Sequence, residues 1–300
     1  MFKTISGRQR AKKVLIVIAS VIVLIYVLAP IYWVVISSFQ REVNLQDRPP
    51  HWILTPDIFT TGHYHFLFTG EVPPNSTVML QSMYTMSGTL VYPAIINSLI
   101  ISIVVTLTNV LIGFPAGHVF ARYRFWGDRQ TLLLLLATRL LPSISIVIPV
   151  YILLLKLHLI DTKIALIMLY TAITLPFTIW ILRAYFQNIP VEFEEAARMD
   201  GCGYFSMLVK VVLPLARPGL IAAAIFTFMT SYGEFVFATI LTQTVRSRTQ
   251  TAVLAALSQG LSSSRGMIAA ASTLAILPPA LIAIIFRKQI LEGLTARLGL

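Results

Sequence analysis

The chain has 300 residues, of which 57% are hydrophobic and only 12% charged, with a mean hydropathy of +0.81. Soluble domains carry about 25% charged residues, so the composition excludes an ordinary soluble fold and implies an integral membrane protein. The net charge of +11 is spread along the chain without basic runs interleaved with aromatics, so it reads as membrane topology and not as nucleic-acid binding.

A bilayer crossing needs about 20 mostly apolar residues, and six segments qualify. In chain order they are 14–39, 93–120, 131–155, 163–186, 218–241 and 267–286. The first follows the basic start KTISGRQRAKK. It is too long for a cleaved signal peptide and reads as an uncleaved anchor. The expected fold is therefore an all-α integral membrane protein with six transmembrane helices. Residues 1–13 form a basic cytoplasmic start, and 14–300 form one transmembrane domain.

Orientation follows from Lys and Arg in the loops. With the N-terminus inside, the inner segments hold fifteen of them and the outer loops seven, while Arg139 falls within the third span. Both termini are then cytoplasmic. Residues 40–92 form a long outer loop, and 187–217 a cytoplasmic one. Pro115, Pro142, Pro149 and Pro176 are expected to kink their spans.

The inner loop has its own internal order. Asn188-Ile189-Pro190 reads as a helix start. Glu192, Glu194 and Glu195 sit where the helix dipole favours negative charge. Gly201 and Gly203 end or bend that helix. The run YFSMLVKVVL restarts one, and Pro214 is expected to stop it. The single Cys202 excludes an intrachain disulfide framework. His63 and His65 form an isolated pair that reads as loop histidines, not metal ligands.

The spacing Glu195-Ala196-Ala197, three residues, Gly201, nine residues, Val211, one residue, Leu213-Pro214 resembles the EAA loop of ABC importer permeases. Six of its seven fixed positions match, Val211 standing for isoleucine. Asn97-Ser98, ARYRF at 121–125, TRLLP at 138–142, LIDT at 159–162, LPFTIW at 175–180, EFVFATIL at 234–241 and GLTA at 293–296 are similar to segments of carbohydrate-importer permeases of the maltose type, the MalG-like kind. Together they cover about residues 92–296. The chain departs from that pattern in YGEF at 232–235, in a tail that ends TARLGL, and in a longer stretch around 69–92.

The resemblance implies a type I ABC importer permease in the bacterial or archaeal inner membrane, with no chemistry of its own. Its partners would be a pair of ATPase subunits that use ATP and Mg, a second and different permease, and an extracytoplasmic solute-binding protein. The EAA loop would be a coupling helix, with Glu195, Ala196, Ala197, Arg198, Asp200, Gly201, Val211, Leu213 and Pro214 meeting the ATPase. Consistently, the chain contains no GxxxxGK[ST] phosphate loop.

Charge inside a span is costly and often functional. Arg139 and Glu234, with Tyr232 and Asn97, are candidates for the translocation path, and Arg139 and Glu234 could pair with each other. Phe226, Phe228, Tyr232, Phe235 and Phe237 could stack on sugar rings or simply pack helices. The solute implied is a sugar or oligosaccharide. Another polar solute such as glycerol phosphate, or a channel or carrier that works without ATP, stays open.

Overall fold

The computed structural model describes residues 7–72, 86–259 and 264–289, with side chains described from residue 13 and from residue 88 in the second stretch. GLTA at 293–296, the tail after it and most of the 69–92 stretch lie outside the described residues. Everything described is helical or irregular, apart from one isolated bridge between Gln40 and Phe59. The helices are α1 (Gly7–Ser37), α2 (Gly62–Thr69), α3 (Met86–Thr89), α4 (Val91–Arg122), α5 (Asp128–Ala137), α6 (Ser143–Lys156), α7 (Lys163–Phe186), α8 (Glu192–Met199), α9 (Tyr204–Met207), α10 (Leu213–Leu215), α11 (Arg217–Tyr232), α12 (Val236–Leu241), α13 (Gln250–Gln259) and α14 (Arg265–Ile285).

Four helices are long and apolar enough to cross a membrane alone: α1 from Lys13, α4, α7 and α14. Two bent pairs raise the number to six. The third expected span is one of these pairs and is not a straight rod. A 3-10 turn at Thr138–Leu140 leads to a 96° bend before α6. Pro142 takes extended backbone there as the N-cap of α6, a position where its missing N–H costs no helix hydrogen bond. Pro115, Pro149 and Pro176 stay inside continuous helices.

The chain forms two compact units, residues 1–89 with 256–275, and residues 90–255 with 276–300. In the first, buried Glu42 accepts from Ser264 Oγ at 2.6 Å and from the Arg265 and Gly266 amides at 3.0 Å each. It thereby satisfies the first two amides of α14, which have no helix carbonyl to bond. His63 Nε2 lies 2.9 Å from the Gln40 carbonyl oxygen. Burial lowers the pKa of this histidine, against the pull of that bond and of the Glu42 charge. Most of α1 leaves its apolar side chains exposed, as a lipid-facing helix does.

The second unit is built on α4, α7 and α11. Gly113 and Gly117, a G-x-x-x-G pair, let α4 approach α7 closely. A Cβ on Gly117 would stand 2.9 Å from Leu182 Cβ and 3.2 Å from the Arg183 amide nitrogen. Polar links tie the same helices. Asn109 Nδ2 donates to Thr174 Oγ1 at 2.5 Å, and the Thr178 and Thr227 hydroxyls meet at 2.9 Å. An apolar cluster of Ile101, Val105, Leu166, Tyr170, Phe237 and Leu241 fills one part of this unit.

Three motifs quoted above turn out to be latches for irregular backbone. Asn97 Nδ2 donates to the carbonyls of Val245 and Arg248 at 2.8 and 2.9 Å, and Ser98 Oγ accepts from the Gln250 amide at 2.9 Å. In LIDT, Thr162 caps α7 by accepting from the Ala165 amide. Asp161 accepts from the amides of Gln243 and Thr244 and from the Ser247 hydroxyl. Partial burial pushes its pKa up, but those three donors outweigh burial and bring it from 3.8 to about 2. The fifth expected span, 218–241, is likewise interrupted. α11 ends at Tyr232, α12 begins at Val236, and Glu234 caps α12 through the Phe237 and Ala238 amides at 3.0 and 3.1 Å.

Two outcomes follow. Gly117→Ala forces α4 off α7 and is expected to cost about 1–3 kcal/mol, read as a lower melting temperature of the purified protein in detergent. Asp161 has a depressed pKa, so its contribution is complete above pH 3.8 and is lost as pH falls toward about 2. A melting-temperature series should show a decline in that window which Asp161→Asn removes.

Candidate coupling loop and polar sites

Residues 187–216 leave α7 and return to α11. The chain turns through Gln187–Val191, and α8 begins at Glu192, two residues after Pro190, so that proline precedes the helix instead of lying in its first turn. α8 is amphipathic at the i, i+3 spacing. Its inner face carries Glu194 and Ala197, both buried, while Glu192, Glu195, Ala196 and Met199 are exposed. Ala197 packs in a cluster with Leu182, Phe186, Ile189, Met207, Leu208 and Val212, with Val211 against its edge.

After α8 the chain reverses at Gly201, whose φ is +78° with no atom within 4 Å of a built Cβ. Glycine is needed there for its left-handed backbone and not for space. Arg198 and Asp200 are exposed on this turn, and Arg198 Nη2 donates to Tyr123 Oη at 3.2 Å.

Pro214 does not stop the following helix. Residues Leu208–Val212 form a π turn, in which the Leu213 amide reaches the Leu208 carbonyl five residues back. The wider turn makes room for the proline ring, which would otherwise collide with a carbonyl one turn earlier. Leu213 is half-buried and Pro214 exposed. The helical run ends at Ala216 instead, where it meets α11 at 81°.

The sequence pattern gives Glu194 only a place in the first turns of the helix and puts the coupling role on Glu195. Glu194 is 2% exposed. Its Oε1 accepts from Arg122 Nε at 2.7 Å, and its Oε2 lies 3.0 Å from His118 Nε2. His118 is itself fully buried, with Nδ1 3.2 Å from Tyr204 Oη. A ring carrying its proton on Nε2 satisfies both contacts, donating to the carboxylate and accepting from the phenol. Arg122 Nη2 also donates to the Ile189 carbonyl at 2.7 Å. The ARYRF stretch thus holds the loop to the end of α4. The available signal was Arg122 four residues after His118 on a helix with no other ionisable side chain but Tyr92.

The polar residues within the spans fall apart from one another. Glu234 binds Tyr170 Oη at 2.6 Å and the α12 amides, and it forms no ion pair with Arg139 among the described residues. The expected pairing is therefore not made, because the break after Tyr232 turns Glu234 into a helix cap. Arg139 sits on the 3-10 turn of the bent third span. Its guanidinium carbon lies 5.5 Å from the Phe177 ring centre and 5.3 Å from that of Phe226. Its Nε and Nη2 are enclosed without a hydrogen-bond partner. The Tyr232 carbonyl accepts from Gln250 Nε2, and its ring stacks on Phe228 at 5.5 Å. Phe228 and Phe237 are buried, Phe226 rests on Phe177 at 4.3 Å, and Phe235 is exposed. No group of three or more His, Cys, Asp or Glu residues suited to a metal occurs among the described residues.

Comparison with known proteins bears on these sites. Residues 109–294 match the family described as binding-protein-dependent transport system inner membrane component. The trehalose/maltose transport system permease protein MalG of Thermococcus litoralis is 32% identical over 288 residues, covering 95% of this chain and 96% of that protein. The trehalose transport system permease protein SugB of Mycobacterium tuberculosis is 31% identical over 90% of this chain and 92% of its own length. A bacterial ABC transporter involved in the import of the acidic polysaccharide alginate has a similar fold, with a TM-score of 0.74 at 19% identity, covering 96% of this chain and 99% of that one.

The Gly201 turn can be tested alone. Gly201→Val is expected to cost about 1–2 kcal/mol of backbone strain, and Gly201→Asn less, since asparagine tolerates left-handed backbone. Limited proteolysis of the loop in purified protein should rank the three accordingly.

Proposed function

The chain belongs to the family of binding-protein-dependent transport system inner membrane components, and from that premise we propose a carbohydrate-specific role with the loop face of α8 as its drive point. The family is that of ABC importer permeases, multi-pass inner-membrane subunits that work with an ATPase and a binding protein. The proposed solute is a sugar or short oligosaccharide. Support comes from relatives whose names specify trehalose, maltose, maltodextrin and diacetylchitobiose. The alternative of a different polar solute has support in a relative named for sulfoquinovosyl glycerol.

The observation that carries the drive point is the exposure pattern of the loop. Glu195 and Ala196 face outward, and the same loop exposes Met199 one turn on from Glu195 and Phe205 on α9, at 88% and 79%. Large apolar groups beside a carboxylate and a side chain as small as alanine suit a protein groove lined with apolar and basic residues. The ATPase would occupy that face and use ATP and Mg, as a subunit separate from this chain. The remaining motif positions act from behind. Ala197 and Val211 pack the loop, Gly201 turns it, Arg198 and Asp200 flank the turn, and Leu213 and Pro214 join it to α11.

We place the loop and both termini in the cytoplasm, following the lysine and arginine bias, in a bacterial or archaeal cell. A second, different permease would complete the path. Arg139 is the proposed path contact, because two of its nitrogens lack partners within the described chain. Asn97, Glu234 and Tyr232 would shape the wall by holding the loop and the broken helix beside it.

Uptake of radiolabelled trehalose and maltose, with glycerol phosphate as the comparison, tests this in cells carrying the complete system. Glu195→Arg and Gly201→Asp are each expected to reduce uptake to about a tenth or less, with unchanged amounts of this chain in the membrane. Normal uptake by Glu195→Arg would refute the drive point. Transport of glycerol phosphate alone would refute the carbohydrate assignment.

A further inference from the structure

We infer that Glu194, His118 and Arg122 form the mechanical joint that passes movement of the coupling loop to α4. The inference rests on the coupling reading of the loop and concerns residues outside its sequence motif.

α8 has two covalent neighbours, α7 through Gln187–Val191 and α11 through the segment 200–216. Neither route is a continuous helix: one is a turn, the other a glycine reversal followed by a π turn. α4 has no covalent link to the loop. It is 72 residues from Glu194 at Arg122 and 76 at His118. Yet α4 is the helix against which α7 packs at its glycines and through Asn109, and α11 packs against both. A displacement of α8 that failed to reach α4 would leave the centre of the unit behind.

The buried cluster closes that gap. One carboxylate receives a guanidinium and an imidazole on its two oxygens, 2.7 and 3.0 Å away, with exposures of 2%, 13% and 0% for Glu194, Arg122 and His118. His118 and Arg122 are four apart on the last turns of α4, so both point the same way. Tyr204 joins α9 to the same imidazole, and Arg122 also holds the Ile189 carbonyl. The loop is thus pinned to α4 before α8, on α8 and after it. Pulling Glu194 out would strand an uncompensated charge in a dry site, which is among the most expensive ways to open a contact. The joint therefore stays closed, and α8 and the end of α4 move together. Glu194 is a positioning residue: it faces away from the surface where the ATPase is proposed to sit.

The test uses the permease purified with its ATPase in lipid nanodiscs. Cys202 is replaced by serine, and nitroxide labels are placed at Arg124→Cys beyond α4 and Glu192→Cys on α8. The distance between labels is measured without nucleotide and after trapping with ATP, Mg and vanadate. The joint predicts one distance in both states for the otherwise native chain. It predicts a change of about 2 Å or more on trapping in Glu194→Gln, with ATP hydrolysis retained, and restoration towards a fixed distance in Glu194→Asp. A Glu194→Gln chain that melts at lower temperature but keeps the fixed distance would show only a packing brace and overturn the inference. So would a distance that changes in the native chain. A preparation from which no ATPase can be recovered refutes the coupling reading itself, a different failure.

Discussion

A carboxylate removed from water needs charge and hydrogen bonds around it, and the loop end of the second unit is organised by that requirement. Glu194 could not occupy the inner face of α8 without Arg122 and His118. They in turn fix where α4 ends and where the turn at Ile189 lies. With that charge satisfied, the remainder of the loop can be small and apolar inward. Ala197 clusters with Phe186 and Met207, and Glu192, Glu195 and Met199 are left exposed.

The same economy governs the breaks in the helices. Backbone that leaves helical geometry in or near a bilayer must find its partners within the protein. Asn97 and Ser98 supply them to residues 245–250, Asp161 to 243–244, Glu234 to the first turn of α12, and Glu42 to that of α14. All of these but Glu42 read on the sequence as candidates for solute contact or as family signatures. In the structure each answers a local backbone demand. Arg139 differs, since aromatic faces and not carbonyls surround its guanidinium.

The hydropathy pattern carried the all-helical membrane class and the positions of α1, α4, α7 and α14, because long apolar runs have no other stable use. It did not carry the breaks. A span interrupted at Pro142 or at Gly233 keeps the same composition as a straight one, and only the tertiary setting decides which proline breaks a helix. Pro115, Pro149 and Pro176 are tolerated where Pro142 is not. Pro214 misled for a related reason: a π turn absorbed it. The spacing of the EAA-type loop marked out residues 195–214, but the choice between Glu194 and Glu195 depends on which side of a two-turn helix is inward. That is fixed by His118 and Arg122, over 70 positions away and invisible to a local pattern.

The central claim is that a separate ATPase grips the outward face of α8. A photoactivatable amino acid placed at Ala196, and for comparison at buried Met207, in cells that carry the whole system measures this directly. The account predicts an adduct between this chain and one ATP-binding protein from position 196 and none from position 207. An Ala196 probe that yields no such adduct, while the chain is present at normal level in the membrane, would contradict it.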